Sequence, residues 1–511
     1  MAERHGEVMG RHGAAAIALA LILALILAGF LPVVMLGMGA PVSGDPYLLR
    51  VTLFTLLQAG LSTLLAIALA LPVARALARQ GFPGRGLIVK LFGLPLALPA
   101  IVVVLGITDI YGAHGFLGGS IPIYGLTGIL LAHVFFNFPM AVRMMLTAYD
   151  AIPPEHFRLA TQLGFRGGAI WRQVEWPQLR TVLPGIAILI FLLCTASFTV
   201  VLTLGGGPQA TTLEVAIYQA LRFDFDPQRA VALALVQLAL CTSLALLAQR
   251  YGAAFAASGS VRLGIIRYDG KTFRSRMADF LAIIISLLIF LPPLAAVVAD
   301  GLMTFHVSAL LLQAVATSLA LGVSSALIAT LLGWPLAQAA ARGVWWPRLS
   351  SAASLGALML PPAVLATGWF VLLVRGGIAI PAVLLVVAMS SLAALPFVYT
   401  TLAPAIAAEA ARHDRLCASL GISGFARFRL IDVPALKRPL GLAFIMAAVV
   451  SLGDLTAILL LGSQDMVTLP ALIYRQMGSY RSTDAAGTAL VLAVFVLALV
   501  ALADRWRTAR D

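Results

Sequence analysis

Apolar and polar positions alternate along this chain in long blocks. Mostly apolar runs fall at 14–37, 51–78, 87–110, 124–148, 181–204, 229–250, 279–300, 309–341, 351–374, 379–405, 439–461 and 486–503. Each is close to or above the roughly 20 residues that a helix needs to cross a hydrocarbon core. Between them lie short stretches rich in Arg, Gly, Pro and Asp. The pattern predicts an all-α, polytopic membrane protein of about twelve transmembrane helices. The first run exceeds the apolar core of a signal peptide and reads as an uncleaved helix, a cleaved signal being the alternative.

Composition agrees with that reading. The 511 residues are 61% apolar and only 11% charged, too little polar cover for a soluble protein of this size. The net charge of +13 has a topological explanation. With the N-terminus inside, 28 of the 34 Lys and Arg residues fall on the inner side. Only Arg50, Arg222, Arg229, Arg375, Arg475 and Arg481 fall outside. The bias predicts cytoplasmic termini and places most cations in solvated loops near anionic headgroups rather than against nucleic acid. Cys194, Cys241 and Cys417 form neither a disulfide framework nor a metal motif.

The chain also repeats itself. Arg158-Leu-Ala-Thr-Gln-Leu-Gly164 is followed by Pro177, and Arg415-Leu-Cys-Ala-Ser-Leu-Gly421 by Pro434, an offset of 257 throughout. Leu204-Gly205 pairs with Leu461-Gly462, and Thr212–Tyr218 with Thr468–Tyr474. Pro72–Arg79 pairs with Pro335–Arg342 at an offset of 263. This internal duplication predicts two six-helix halves of like orientation, related by a pseudo-twofold axis along the membrane normal. The halves are 1–252, with a loop at 153–178, and 277–511, with a loop at 408–435; a basic cytosolic linker, 253–276, joins them. No GxxxxGK[ST] occurs in the chain, so any ATP that drives it binds a separate subunit.

The repeated loop is the strongest functional signal. Ala160 and Gly164, like Cys417 and Gly421, are four residues apart and share a face if the segment is helical. A glycine within a helix costs about 1 kcal/mol relative to alanine, so two copies point to a close contact or a turn that needs it. Helix C-caps are the other reading.

The loop resembles the EAA loop of ABC importer permeases, written Glu-Ala-Ala, three residues, Gly, then a Leu-Pro. Gly164 and Gly421 match its glycine, Pro177 and Pro434 its proline, and Ala160 its second alanine. Cys417 takes the alanine's place in the second copy, and Arg158 and Arg415 stand where the family has glutamate. Longer strings resemble the thiamine (thiamine pyrophosphate) importer permeases. They are Leu131–Ala141, Gly205–Leu221, Ala435–Leu440 and Gly478–Ala485. The resemblance implies a fused type I importer permease in a bacterial inner membrane. It also implies two copies of an ATP-binding subunit, which use ATP and Mg, docked on the loops, and a periplasmic thiamine-binding protein. The chain itself would bind no cofactor and would not be an enzyme. Fused permeases for ferric iron share the architecture and are the nearest alternative.

Few polar residues lie within the runs. Asp454, and Ser197 opposite it in the repeat, are candidates for the translocation path, since an intramembrane carboxylate is costly unless it faces protein or water. Thiamine's thiazolium is a cation that such a carboxylate would stabilise; bonding to backbone amides or to a neighbouring helix is the structural alternative. His133 and Asn137 share a helix face and read as inter-helix hydrogen-bonding groups rather than metal ligands. Asp109, Glu214, Asp224 and Asp226 stand at outer ends, and Tyr111, Tyr218, Trp345, Trp346 and Trp506 read as interfacial anchors. An ion-coupled secondary transporter or a membrane scaffold would also use twelve spans, but neither explains the repeated loop.

Overall fold

The computed structural model describes residues 2–37, 45–113, 115–118, 122–250, 272–342, 349–350, 353–354, 356, 361–377, 380–422, 424–463, 465–479 and 481–508. Most of the linker, together with Trp345, Trp346 and Arg348, lies outside them. The described residues form helices and no strand, as the block pattern predicts. Among the described residues, ten helices are long and apolar enough to cross a membrane. Two shorter apolar helices, Ala100–Tyr111 and Pro362–Leu373, occupy the runs expected at 87–110 and 351–374.

Prolines explain that shortening. Helix α1 spans Ala2–Gly37 and α2 spans Pro46–Arg79. Asp45 starts α2 by accepting the Tyr47 N–H at 2.9 Å, with Pro46 at a position where a missing N–H costs nothing. The run at 87–110 divides into α3 (Arg85–Leu91), a 3₁₀ turn at Leu94–Leu96 and α4 (Ala100–Tyr111). Pro99, at φ −59° and ψ 136°, sets the start of α4. Pro361, at φ −61° and ψ 136°, sets the start of the second short helix in the same way. Next come α5 (Leu126–Asp150), α6 (Pro154–Gln162), α7 (Gly167–Ile170), α8 (Trp176–Thr195), α9 (Thr199–Leu204) and α10 (Leu213–Arg222). Then α11 spans Pro227–Arg250, α12 Phe273–Thr304, α13 Ala309–Arg342, α14 Pro362–Gly376 and α15 Ala382–Ser419. The last are α16 (Gly424–Arg427), α17 (Val433–Leu452), α18 (Thr456–Leu461), α19 (Leu469–Gly478) and α20 (Ser482–Thr508).

The runs expected at 181–204 and 439–461 are each broken, after Thr195 and after Leu452. The run at 379–405 extends without a break to Ser419.

Two compact units result, and they cut across chain order. One holds Asp45–Val215 and Ala239–Met303. Here α2 packs on α5 and α8, and α12, from the second half of the sequence, completes the core. Its Phe290 stacks on Phe135 at 4.8 Å and meets Phe92 edge-on at 5.9 Å. A Cβ on Gly106 of α4 would lie 2.2 Å from the Pro293 carbonyl oxygen, so only glycine admits α12 this closely. Asp279 of α12 is buried and paired with Arg79 (Nε–Oδ2 2.8 Å), and Gln80 donates to the same carboxylate at 2.6 Å. The other unit holds residues up to Gly44, Ala216–Leu238 and Thr304 onward. In it α13, α15 and α17 pack together, and α1 packs on α13 and α14. Gly29 and Gly368 meet there; a Cβ on Gly368 would lie 1.5 Å from the Gly29 carbonyl oxygen. Between apolar helices in lipid, backbone approach of this kind supplies the packing energy that a hydrophobic contrast cannot.

Candidate functional site

In the first loop, α5 ends at Asp150 because Pro153-Pro154 follows. A residue before proline is driven out of the helical region, and Pro153 sits at φ −59°, ψ 136°. Pro154 then opens α6 at a position that suits it. Phe157 and Ala160 face the protein and are buried. Arg158 is exposed, and Leu159 and Leu163 are 55% and 62% exposed. Gly164 lies just past the helix at φ +72°. Phe165 N–H reaches the Ala160 carbonyl at 2.9 Å, and Gly164 N–H reaches that of Thr161 at 3.0 Å, which closes the helix with a left-handed C-cap. A Cβ on Gly164 would meet nothing within 4 Å. The turn therefore explains the glycine, and Ala160 does not share an open face with it.

The chain re-enters a helix through α7 and a π turn at Trp171–Glu175. Pro177 follows two residues later, with no N–H for the Gln173 carbonyl and a ring that would crowd it. Widening the turn, with Trp176 N–H bonded to the Trp171 carbonyl, lets α8 continue through the proline. Glu175 ends the π turn and is fully buried. Arg75 of α2 neutralises it, Nε to Oε2 at 2.8 Å. The same guanidinium donates to the Gly167 carbonyl at 2.8 Å and lies 5.0 Å from the centre of the Trp171 ring. One arginine thus holds acid, loop backbone and indole.

The second loop repeats the frame with different parts. Ala410-Ala411 replace the two prolines, so α15 runs straight on to Ser419. Cys417 is buried, whereas Leu416 and Leu420 are 53% and 63% exposed and Arg415 is exposed. Gly421, at φ +67°, again follows the helix end, with Ile422 N–H on the Cys417 carbonyl at 3.0 Å. After α16 a second π turn, Phe428–Asp432, precedes Pro434. Asp432 is buried as Glu175 is, but its arginine is Arg427, of the loop itself (Nε–Oδ1 3.2 Å). Arg427 also pairs with Asp414 and stands 3.7 Å from Glu409. Burial opposes its charge, yet the bonds to Asp414 and Asp432 hold the guanidinium above its usual range. The α13 counterpart of Arg75 is Gln338, and the α7 counterpart of Arg427 is Ile170. The cation has moved while the buried acid has stayed.

Neither Glu175 and Asp432 nor Arg75 and Arg427 belong to the expected site. The available signal was an acid two residues before each repeated proline. Arg75 could not be linked to Glu175 along the chain, since 100 residues separate them.

The helix breaks carry the intramembrane candidates. Asp454 lies between α17 and α18 and accepts N–H bonds from Thr456 at 2.9 Å and Ala457 at 3.2 Å. It also accepts the Ser390 hydroxyl of α15 at 3.0 Å. It therefore starts α18 and ties it to α15. Ser197 occupies the matching break between α8 and α9. His133 meets Ser62 of α2 at 3.1 Å, and Asn137 donates to Cys194 Sγ of α8 at 3.4 Å, the inter-helix bonding expected of them. Among the outer-end acids, Glu214 is fully buried, and Asp226 caps α11 through the Gln228 and Arg229 amides at 3.1 and 3.0 Å.

No family model matches the chain. Individual relatives do, over nearly its whole length. The thiamine transport system permease protein ThiP of Brucella abortus is 47% identical, covering 93% of this chain and 90% of that protein. ThiP of Escherichia coli is 42% identical, covering 90% and 89%. ThiP of Haemophilus influenzae is 37% identical, covering 91% and 90%. Identity of this order over about nine-tenths of the chain and of its relatives leaves one assignment: this multi-pass membrane chain belongs to the family of thiamine transport system permease proteins.

Proposed function

We propose that this chain is the membrane-spanning subunit of an ATP-driven importer. It passes thiamine, or one of its phosphates, from a periplasmic binding protein to the cytoplasm by alternating access. The carrying observation is the duplicated outward surface: Arg158, Leu159 and Leu163 in one loop, Arg415, Leu416 and Leu420 in the other. Each presents two exposed leucines one turn apart, beyond a helix whose other face is anchored in the protein. Such a surface suits a groove on an ATP-binding subunit, and two of them suit two copies. On this reading ATP and Mg belong to those subunits, and the chain is a transport subunit rather than an enzyme.

The distribution of Lys and Arg supports an inner-membrane orientation with both loops and both termini in the cytoplasm. ATP-driven closure of the paired subunits would draw the two loops together. The π turns and the buried Arg75–Glu175 and Arg427–Asp432 pairs would pass that movement to α8 and α17 as rigid bodies. The breaks after these helices hold Ser197 and Asp454, which we place on the path. There the Asp454 carboxylate would favour a thiazolium cation in transit.

The test is uptake of labelled thiamine into proteoliposomes holding this chain, its ATP-binding subunit and its binding protein. Uptake that needs all three parts and ATP is expected. ATPase stimulation by a loaded binding protein without thiamine uptake would move the substrate to another solute, ferric iron first. Uptake that survives ATP depletion but not an uncoupler would overturn the ATP-driven reading. For Asp454→Asn, unchanged uptake at unchanged expression would remove it from the path.

A further inference from the structure

A cavity of about 490 Å³ opens where α15, α17 and α20 converge. Its walls include Thr401 of α15, Lys437, Arg438, Pro439 and Leu442 of α17, and Trp506 of α20. Two of these helices change character at this level. In α17, Lys437 and Arg438 are the last charges before an apolar stretch that begins at Leu440. In α20, the apolar stretch ends at Ala503, and Asp504, Arg505 and Trp506 follow. The cavity therefore lies where hydrocarbon gives way to headgroups, the level at which indoles and basic side chains concentrate.

The indole is seated deliberately. Trp506 lies on Gly441 of α17, where a Cβ would stand 1.6 Å from its ring. No other residue leaves room for it. Trp506 is nevertheless 40% exposed, so its ring forms a wall rather than a plug. Lys437 and Arg438 are exposed beside it, and the formal charges of Lys437, Arg438, Asp504 and Arg505 together are net positive. The result is a half-apolar recess with two cationic residues in its wall. The duplication lacks it: Thr181 stands for Arg438, and Pro184 stands for Gly441, so the first copy has one cation fewer and no glycine seat.

We propose that this recess binds an anionic phospholipid. The phosphodiester would lie between Lys437 and Arg438, and an acyl chain would run along Pro439, Leu442 and the Trp506 ring. Phosphate is the recognised chemistry, and the apolar walls commit the site to a lipid rather than to a free anion. Each cation at a headgroup site favours an anionic over a neutral lipid by roughly five-fold.

Tryptophan quenching by brominated lipids tests this on the full chain in phosphatidylcholine vesicles. The Trp506 signal is the difference between the chain and its Trp506→Phe variant, which removes the background of the other tryptophans. Brominated phosphatidylglycerol should quench Trp506 at a mole fraction about twenty-five-fold lower than brominated phosphatidylcholine does, five-fold for each of the two cations. Lys437→Gln with Arg438→Gln should erase that preference, and Lys437→Arg with Arg438→Lys should keep it. Equal quenching by the two lipids would overturn the proposal. So would loss of preference in the charge-preserving pair, since damage rather than charge would then explain it. Millimolar inorganic phosphate that abolishes the quenching would assign the recess to a free anion and overturn the lipid.

Discussion

The two loops share a frame and differ in how they are held. Both keep the exposed Arg-Leu face, the glycine at positive φ, the π turn and the buried acid before proline. In the first, two prolines start a separate helix, and the acid takes its cation from α2. In the second, α15 continues into the loop, and the acid takes its cation from five residues back. The shared geometry is thus in the backbone and the acid, while the arginine comes from a different element in each loop. A buried carboxylate needs a cation close by, but its chemistry does not say which element supplies it.

Removing either arginine should give the largest effects. Arg427→Ala leaves Asp432 and Glu409 buried without their shared cation, and Arg75→Ala does the same to Glu175. Breaking one side of a buried pair costs about 3–5 kcal/mol. Thermal unfolding of the purified chain should register losses of that order for both, and little for Gln338→Ala, at the α13 counterpart of Arg75. A loss at Gln338 as large as that at Arg75 would break the comparison. It is sharpened by moving the cation. Ile170→Arg in an Arg75→Gln background places the arginine as the second loop does, and should recover at least half of the loss. No recovery would mean that the sources are not interchangeable.

Next in size is Ala410→Pro, which writes half of the first loop's break into α15. A proline inside a helix costs about 3 kcal/mol. Ala410 is buried and follows Glu409, so the kink should also displace a partner of Arg427. Arg427→Ala and Ala410→Pro should therefore combine to less than the sum of their separate losses. Strict additivity would show that helix continuity and the ion cluster are independent.

Much of this frame was legible in the residues. The apolar blocks became helices, and the 257-residue offset located both loops. The breaks themselves were hidden. Around Ala196–Phe198 and Gly453–Leu455 the chain remains apolar enough to read as one span, and only the cap geometry at Asp454 shows the interruption. The placement of α12 with the first half was hidden too, because the contact of Phe290 with Phe135 and the pair Arg79–Asp279 depend on tertiary packing alone. Asp432 lay within reach of Arg427 by sequence, whereas the Arg75 that holds Glu175 lies 100 residues away.

Smaller effects are expected at the glycines. Gly164→Ala and Gly421→Ala force a Cβ into the left-handed region at a cost of about 1–2 kcal/mol each. Asparagine, which tolerates that region, should cost less in both. Since a Cβ at Gly164 or Gly421 meets open space, co-purification of the ATP-binding subunit should follow the same ranking, with asparagine closest to the native residue. If asparagine abolished docking as fully as a larger β-branched residue, the glycine would be a contact surface after all, and the turn would be secondary.

The smallest effect should come from Pro153→Ala with Pro154→Ala. These changes give the first loop the Ala-Ala of the second and remove the bar to a continuous helix from Leu126 to Gln162. The break spans only Ala151 to Pro153, and the residues beyond it stay anchored by Phe157 and Ala160. Two terms oppose each other. The proline pair restricts the unfolded chain, which favours the native kink, while the alanines allow helical hydrogen bonds across the gap. Stability should change by less than about 1 kcal/mol. Amide exchange should show new protection at residues 151–154 if the helix closes. A larger loss, with no new protection, would mean that the kink positions Phe157 and Ala160 and cannot be exchanged for a straight helix. The two loops would then be different solutions to holding the same outward face, each fitted to its own neighbours, rather than one solution with a removable bend.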